Sequence, residues 1–219
     1  MILLTGGSGV LGREIKRLMP EVAAPTRDEF NIMNPKIVYG VDLIVHCAAY
    51  TNVDRAELNR HDCYDLNVIG TQKLSRLGIP MMYISTDSVF DGKTGNYHEW
   101  DIPNPVNFYS LTKLLGEHQM EDFSVIVRTA FRQSPWKYEY ASNDRFSSAD
   151  YVENIAPQIV KAIRIFDQLP KVINIAGKRR THYDLAKITK PDVLPIDKEV
   201  FSVPRAMDTS LDCSLWESF

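Results

Sequence analysis

Tyr109 and Lys113 stand four residues apart in Tyr109-Ser110-Leu111-Thr112-Lys113, so on a helix the phenol and the ammonium share one face and can act on one atom. Reducing a ketone with a nicotinamide delivers a hydride to carbon and needs a proton at oxygen. A phenol with its usual pKa near 10 gives up that proton reluctantly at neutral pH. A cation about 5 Å away, in an effective dielectric of about 20, is worth roughly 3 kcal/mol and would lower the phenol markedly. Tyr109 is therefore a candidate general acid, and Lys113 the group expected to tune it. Such pairs arise often by chance on exposed helices, so position has to give this one weight. It follows the apolar run Met81-Met82-Tyr83-Ile84, whose polar end carries the hydroxyls of Ser85 and Thr86. One of these can hydrogen-bond a substrate carbonyl beside the tyrosine.

The nicotinamide needs a site, and the first thirteen residues have the pattern of one. Ile2-Leu3-Leu4 reads as a buried strand, Val10, Leu11, Ile15 and Leu18 recur at helical spacing, and glycines fill the turn between. Two registers fit, Gly7-x-Gly9-x-x-Gly12 and Gly6-x-x-Gly9-x-x-Gly12. Glycines there permit positive φ and let backbone approach a pyrophosphate, while the helix N-terminus offers free N–H groups. A second strand is expected at Val22–Thr26, followed by Arg27 and Asp28. An acidic residue at this point suits the ribose hydroxyls of NAD and an arginine the extra phosphate of NADP. With Arg27 first, NADP is favoured and NAD stays open.

Further strands are expected at 41–49, 81–86, 124–128 and 171–175, and helices at 56–77, 108–120 and 151–166. His46, at the end of the third strand, is read as a hydrogen-bonded structural residue. Residues 91–107 read as a loop, the aromatic stretch 131–150 as a loop over the site, and the tail as short elements broken by Pro191, Pro195 and Pro204. Strands alternating with helices imply an α/β fold with a doubly wound parallel sheet, an NAD(P)-binding Rossmann core over 1–130. Residues 131–219 would add the last sheet elements, about 151–176, and a reduced substrate lobe.

The 219 residues, 44% hydrophobic and 24% charged, suffice for a sizeable core. A net charge of -3 argues against nucleic-acid or membrane-surface partners. Cys47, Cys63 and Cys213 lack metal-ligand spacing, so no metal is expected, and they suit free thiols in a reducing cytoplasm. No stretch has the length of a membrane span, and Met1 leads into the first strand without a signal-peptide pattern.

Three runs, His46-Cys47-Ala48-Ala49-Tyr50-Thr51-Asn52-Val53-Asp54-Arg55-Ala56-Glu57, Ile84-Ser85-Thr86-Asp87-Ser88-Val89-Phe90-Asp91-Gly92 and Tyr109 to Glu117, together resemble the dTDP-4-dehydrorhamnose reductase family of extended short-chain dehydrogenase/reductases. The resemblance covers residues 1 to about 130 and resumes at 172–177 and 205–212. It implies NAD(P)H-dependent reduction of a nucleotide-linked 4-keto-6-deoxysugar, with Thr86, Tyr109 and Lys113 as the catalytic trio. It also implies cofactor contacts at Gly6, Gly9, Val10, Leu11 and Gly12, at Asn31 and Ile32, at Ala48, Ala49 and Tyr50, and at Ser85. Thr86, Asp87, Phe131 and Arg205 fall at substrate positions. In extended members the helices near 56 and 108 form a dimer interface, and here they carry apolar residues beyond one core-facing stripe, so a homodimer is expected. Departures lie in the substrate half: the chain between Arg128 and Tyr151 is short, Phe131 stands where many members have tryptophan, and Arg205-Ala206 replaces a frequent Arg-Pro. A nucleotide-sugar epimerase or dehydratase and a non-catalytic, cofactor-binding regulatory subunit, like the methionine adenosyltransferase beta subunit, are the alternatives.

Overall fold

The computed structural model describes residues 1–36, 39–197 and 202–219. Four central strands are short and fully apolar at their cores: β1 (Ile2–Thr5), β2 (Leu43–His46), β3 (Met81–Ile84) and β4 (Val125–Arg128). With β9 (Val172–Asn174) they form one parallel sheet in the order β1-β2-β3-β4-β9. Side chains alternate between its faces. Leu4, Leu43, Val45, Met82, Ile84, Val125 and Val127 pack on one side, under α1 (Val10–Leu18) and α6 (Val152–Arg164). Leu3, Ile44, Met81, Tyr83 and Ile126 pack on the other, against Ile32, Leu74 and Met120. Burial on both faces explains why these strands read as continuous apolar runs, and each fully buried aliphatic side chain contributes about 1.5–3 kcal/mol.

The expected second strand is reduced to one bridge. Ala23 pairs with Leu3 through Leu4 N–H to Ala23 C=O (2.8 Å) and Ala23 N–H to Ile2 C=O (2.9 Å). Pro25 then has no N–H to continue the ladder, and the chain turns at Thr26. From this edge it returns to β2 on the other side of β1, so the strand order reverses there. In such sheets the crevice at the carboxyl ends of the strands, at that reversal, takes ligands.

The long helix expected over 56–77 is broken. It runs as α2 (Val53–Leu58), α3 (Arg60–Tyr64), a π-helical turn at Asp65–Gly70 and α4 (Thr71–Ser75). Asn59, at φ -120° and ψ 54°, interrupts the first part. The π turn aims Asn67 inward, where its side chain accepts the Tyr50 N–H (2.7 Å) and donates to the Tyr50 C=O (3.1 Å) and to Thr112 Oγ1 (2.9 Å). A buried asparagine is thus satisfied by a loop and by the next helix, α5 (Phe108–Glu117).

Residues 131–150 hold short ladders instead of one open loop. β5 (Phe131–Arg132) pairs with β8 (Asp150–Tyr151), β6 (Tyr140–Ser142) with β11 (Leu194–Ile196), and β7 (Phe146–Ser147) with β10 (Arg180–Thr181), which leads into α7 (His182–Lys187). Strands of two or three residues are too short for a period-two pattern to show in sequence. The tail crosses back over this lobe before α8 (Ser214–Glu217), with the Thr209 N–H on the Phe146 C=O (3.0 Å) and the Asp212 N–H on the Tyr97 C=O (2.8 Å).

Candidate active site

The turn between β1 and α1 selects the second glycine register. Gly6 has φ +72°, and a Cβ there would lie 2.6 Å from the Ala48 nitrogen. A Cβ on Gly12 would lie 2.2 Å from the Gly6 oxygen, so helix and turn touch backbone to backbone. At Gly7 the nearest neighbour would be a side-chain methyl, that of Ala24, at 3.0 Å. Gly9 is the N-cap of α1 and no side chain caps that helix, so its first N–H groups face the cleft. The cleft, about 680 Å³ in volume, starts at these glycines and runs past the ends of β2, β3 and β4 to the short ladders of the lobe.

Thr86, Tyr109 and Lys113 all line it. Thr86 follows β3 and caps the turn after it, its Oγ1 accepting the Ser88 N–H at 3.2 Å. Tyr109 and Lys113 share a face of α5, whose N-cap Asn107 accepts the Ser110 N–H (2.9 Å). The expected electrostatics are corrected here. Burial first, and Asp87 when ionised second, push the Tyr109 phenol up; the Thr86 hydrogen bond and the Arg132 charge pull back. The Lys113 Nζ donates to the Ile84 C=O at 2.8 Å and lies 4.0 Å from the Tyr83 ring centroid. Burial lowers that ammonium to about 7, against an opposing pull from Glu117. Spacing alone placed the two groups on one face, but desolvation dominates both shifts, upward for the phenol and downward for the ammonium.

Most of the remaining expected residues border the same cleft: Gly6, Gly9, Val10, Leu11, Gly12, Arg27, Asn31, Ile32, Ala48, Ala49, Ser85, Asp87, Phe131 and Arg205. Tyr50 is not among these lining residues; its backbone N–H and C=O are both bound to the Asn67 side chain. The Ser85 hydroxyl is committed to Glu117 Oε1 at 2.5 Å, and Glu117 in turn forms a two-pronged, buried ion pair with Arg128 (2.8 and 3.1 Å). Removing one partner of such a pair typically costs about 3–5 kcal/mol, so Ser85 sits on a rigid support. Arg205 donates to Asp54 Oδ1 at 2.8 Å, tying the tail to α2 at the rim.

Sequence reasoning missed several lining residues. Thr5, Thr129, Arg132, Arg145, His182 and Thr209 also face the cleft. Thr5 and Thr129 end β1 and follow β4, so the strand-end rule could have found them. Arg132, Arg145 and His182 are brought together by the ladders, and Thr209 by the returning tail, with no local spacing to signal it. His46 is placed as expected: Thr5 Oγ1 is 2.7 Å from its Nδ1 and Thr71 Oγ1 3.0 Å from its Nε2.

Residues 1–160 match the family model described as the RmlD substrate binding domain. The chain belongs to the RmlD substrate-binding domain family. It is 36% identical over 162 residues to the dTDP-4-dehydrorhamnose reductase of Aggregatibacter actinomycetemcomitans, a match covering 65% of this chain and 53% of that relative. A crystal structure from Sulfolobus tokodaii, described as a hypothetical dTDP-4-dehydrorhamnose reductase, superposes with a TM-score of 0.84 at 28% identity, over 100% of this chain and 94% of that one. The dTDP-4-dehydrorhamnose reductase of Bacillus anthracis, solved in complex with NADP, shares the fold with a TM-score of 0.85 at 24% identity, covering 99% of this chain and 92% of that one. The chain spans about half the length of curated reductases that it matches. Family membership agrees with the parallel sheet and flanking helices, and no helix among the described residues is long and apolar enough to cross a membrane.

Proposed function

We propose that this chain is an NADPH-dependent reductase of a nucleotide-linked 4-keto-6-deoxysugar. One observation carries the reading: a single cleft is lined by a glycine turn at one end and by Thr86, Tyr109 and Lys113 at the other. The residues fit a dinucleotide. Gly6 and Gly12 make a cradle that a Cβ would fill, the uncapped N-terminus of α1 suits a pyrophosphate, and Arg27 lines the cleft where a ribose phosphate would lie. Asn31, Ile32, Ala48, Ala49 and Ser85 line this half, and Tyr50 follows Ala49 directly. When bound, the nicotinamide supplies the hydride. Thr86 polarises the acceptor carbonyl, and Tyr109 gives its oxygen the proton. A raised phenol pKa keeps that proton on Tyr109 at neutral pH until the oxygen takes it. Lys113 holds the ribose, and Asp87, Phe131 and Arg205 border the sugar. Similarity to reductases of dTDP-4-dehydrorhamnose supports the substrate class, and a relative solved with NADP supports the cofactor.

NADPH oxidation with dTDP-4-keto-6-deoxyhexose tests this. Tyr109→Phe should reduce turnover by roughly 10²- to 10⁴-fold and leave NADPH affinity nearly unchanged. Lys113→Ala should weaken cofactor binding as well. A wild type that binds NADPH yet reduces no nucleotide 4-ketosugar would instead be a regulatory binder. Intact turnover in Tyr109→Phe would remove the trio.

The same reading has the protein acting as a cytoplasmic homodimer. Leu58 on α2 and Leu111 on α5, two helices that pack together, are 84% and 39% exposed, and the three free thiols suit a reducing compartment. Light scattering at micromolar concentration should give twice the chain mass; a monomer mass removes the dimer.

A further inference from the structure

Asp87 lies in the cleft wall with three hydroxyls on its carboxyl group. Thr86 Oγ1 and Ser88 Oγ approach Oδ1 at 3.1 and 3.2 Å. Thr209 Oγ1, from the returning tail, donates to Oδ2 at 2.6 Å. A threonine hydroxyl has one proton to give. If Asp87 is ionised, Thr86 spends that proton on Oδ1 and has none for a substrate carbonyl, which is itself an acceptor. With Thr209 donating to Oδ2, the proton of a neutral Asp87 is carried on Oδ1, facing Thr86.

We propose that Asp87 works as a neutral acid oriented by Thr209, its Oδ1–H donating to Thr86 Oγ1 so that the Thr86 proton turns outward to the substrate carbonyl. This rests on the role given to Thr86 above and adds Asp87 and Thr209 as positioning residues. Tyr109 still supplies the proton consumed, and the relay gains and loses none. The surroundings favour it. Burial pushes the Asp87 carboxyl above the usual carboxylate range, outweighing the Thr209 hydrogen bond, the Arg132 charge on β5 and the Thr86 and Ser88 hydrogen bonds, which all pull it down, and Tyr109 on α5 faces the same carboxyl.

An amide at position 87 has a permanent donor for Thr86 and an oxygen for Thr209. Asp87→Asn should therefore keep several times more kcat than Asp87→Ala, which should lose about tenfold or more. Thr209→Val should lower kcat about tenfold without changing NADPH affinity, and Thr209→Ser should restore it. If Asp87→Asn falls as far as Asp87→Ala, the ionised carboxylate is required and the proposal is overturned. A second measurement needs no substrate. Difference infrared spectra of protein labelled with ¹³C-aspartate, wild type against Asp87→Asn, should contain a protonated-carboxyl band at neutral pH, shifted in Thr209→Val. Absence of that band in the wild type overturns the proposal even where turnover is normal. Failure to reduce any ketosugar overturns the reductase reading instead, and the band still decides the protonation of Asp87.

Discussion

Arg27 and Glu29 carry opposite charges two residues apart at the mouth of the cleft, and local hydrogen bonds separate their roles. Glu29 Oε2 accepts the Thr26 N–H at 2.7 Å and its Oγ1–H at 2.9 Å, which holds that carboxyl below its ordinary range. Arg27 lines the cleft and Asp28 does not. A positive charge, with the nearby acid already engaged, faces the end where the adenosine ribose would sit. NADPH should therefore bind more tightly than NADH, and Arg27→Ala should weaken NADPH by roughly tenfold while sparing NADH, the lower end for a hydrogen bond to a charged group at an exposed site. Fluorescence titration of both cofactors decides it, and affinities that are equal before and after the substitution would remove the preference. At this scale residue identity was legible and electrostatic sign was not. Tyr109 and Lys113 could be named from type and spacing, and Thr86 rather than Ser85 only from the family resemblance. The upward shift of the phenol depends on how deeply α5 sits in the cleft, which spacing does not encode.

The elements that hold these residues depend on backbone packing at a few points, of which Gly12 is the tightest. Its missing Cβ would meet the Gly6 oxygen at 2.2 Å and the Gly7 Cα at 2.8 Å, both backbone atoms that cannot rotate aside. Gly12→Ala must push α1 off the turn, so it should cost about 1–3 kcal/mol and lower NADPH affinity as the N-terminal N–H groups move. Gly7→Ala meets a methyl side chain at 3.0 Å and should be milder. Thermal unfolding together with NADPH titration checks both; equal effects would mean that the contact at Gly12 has no special weight. The same packing explains what could be read beforehand. Runs such as Leu43-Ile44-Val45 and Met81-Met82-Tyr83-Ile84 are apolar because both sheet faces are covered, so the strands were visible. The break before the π turn was not, since an inward Asn67 is stable only because Tyr50 and Thr112 come to meet it. Nor were the ladders of the lobe, whose partners lie tens of residues apart.

Across the whole molecule, distant segments converge on the sheet, and acid conditions test that arrangement through His46. The tail reaches back through Arg205 to Asp54, Thr209 to Asp87 and the Asn96 N–H to Ser210 Oγ, contacts that no local pattern announces. Beneath the cleft, His46 is buried between β1 and α4, with Thr5 and Thr71 on its two ring nitrogens. Burial first, and the Lys113 charge second, lower its pKa from 6.5 to about 3. Below pH 6.5 the unfolded chain therefore takes up a proton that the native chain refuses. This contribution to stability is complete above pH 6.5 and is lost as the pH falls toward 3, with a slope of up to about 1.4 kcal/mol per pH unit. Asp87 opposes it in acid, because its raised pKa lets the native state keep a proton that the unfolded chain releases. Lys113, lowered from 10.5 to about 7, extends the rise of stability with pH above neutrality, since between those values the unfolded chain holds the extra proton. His46→Gln removes the titrating ring. It should destabilise the protein at neutral pH by about 1–3 kcal/mol through the disturbed hydrogen bonds, yet flatten the acid limb below pH 6.5. Urea unfolding of both proteins at a series of pH values reads the two slopes, and parallel acid limbs would show that His46 does not set the acid sensitivity of this fold.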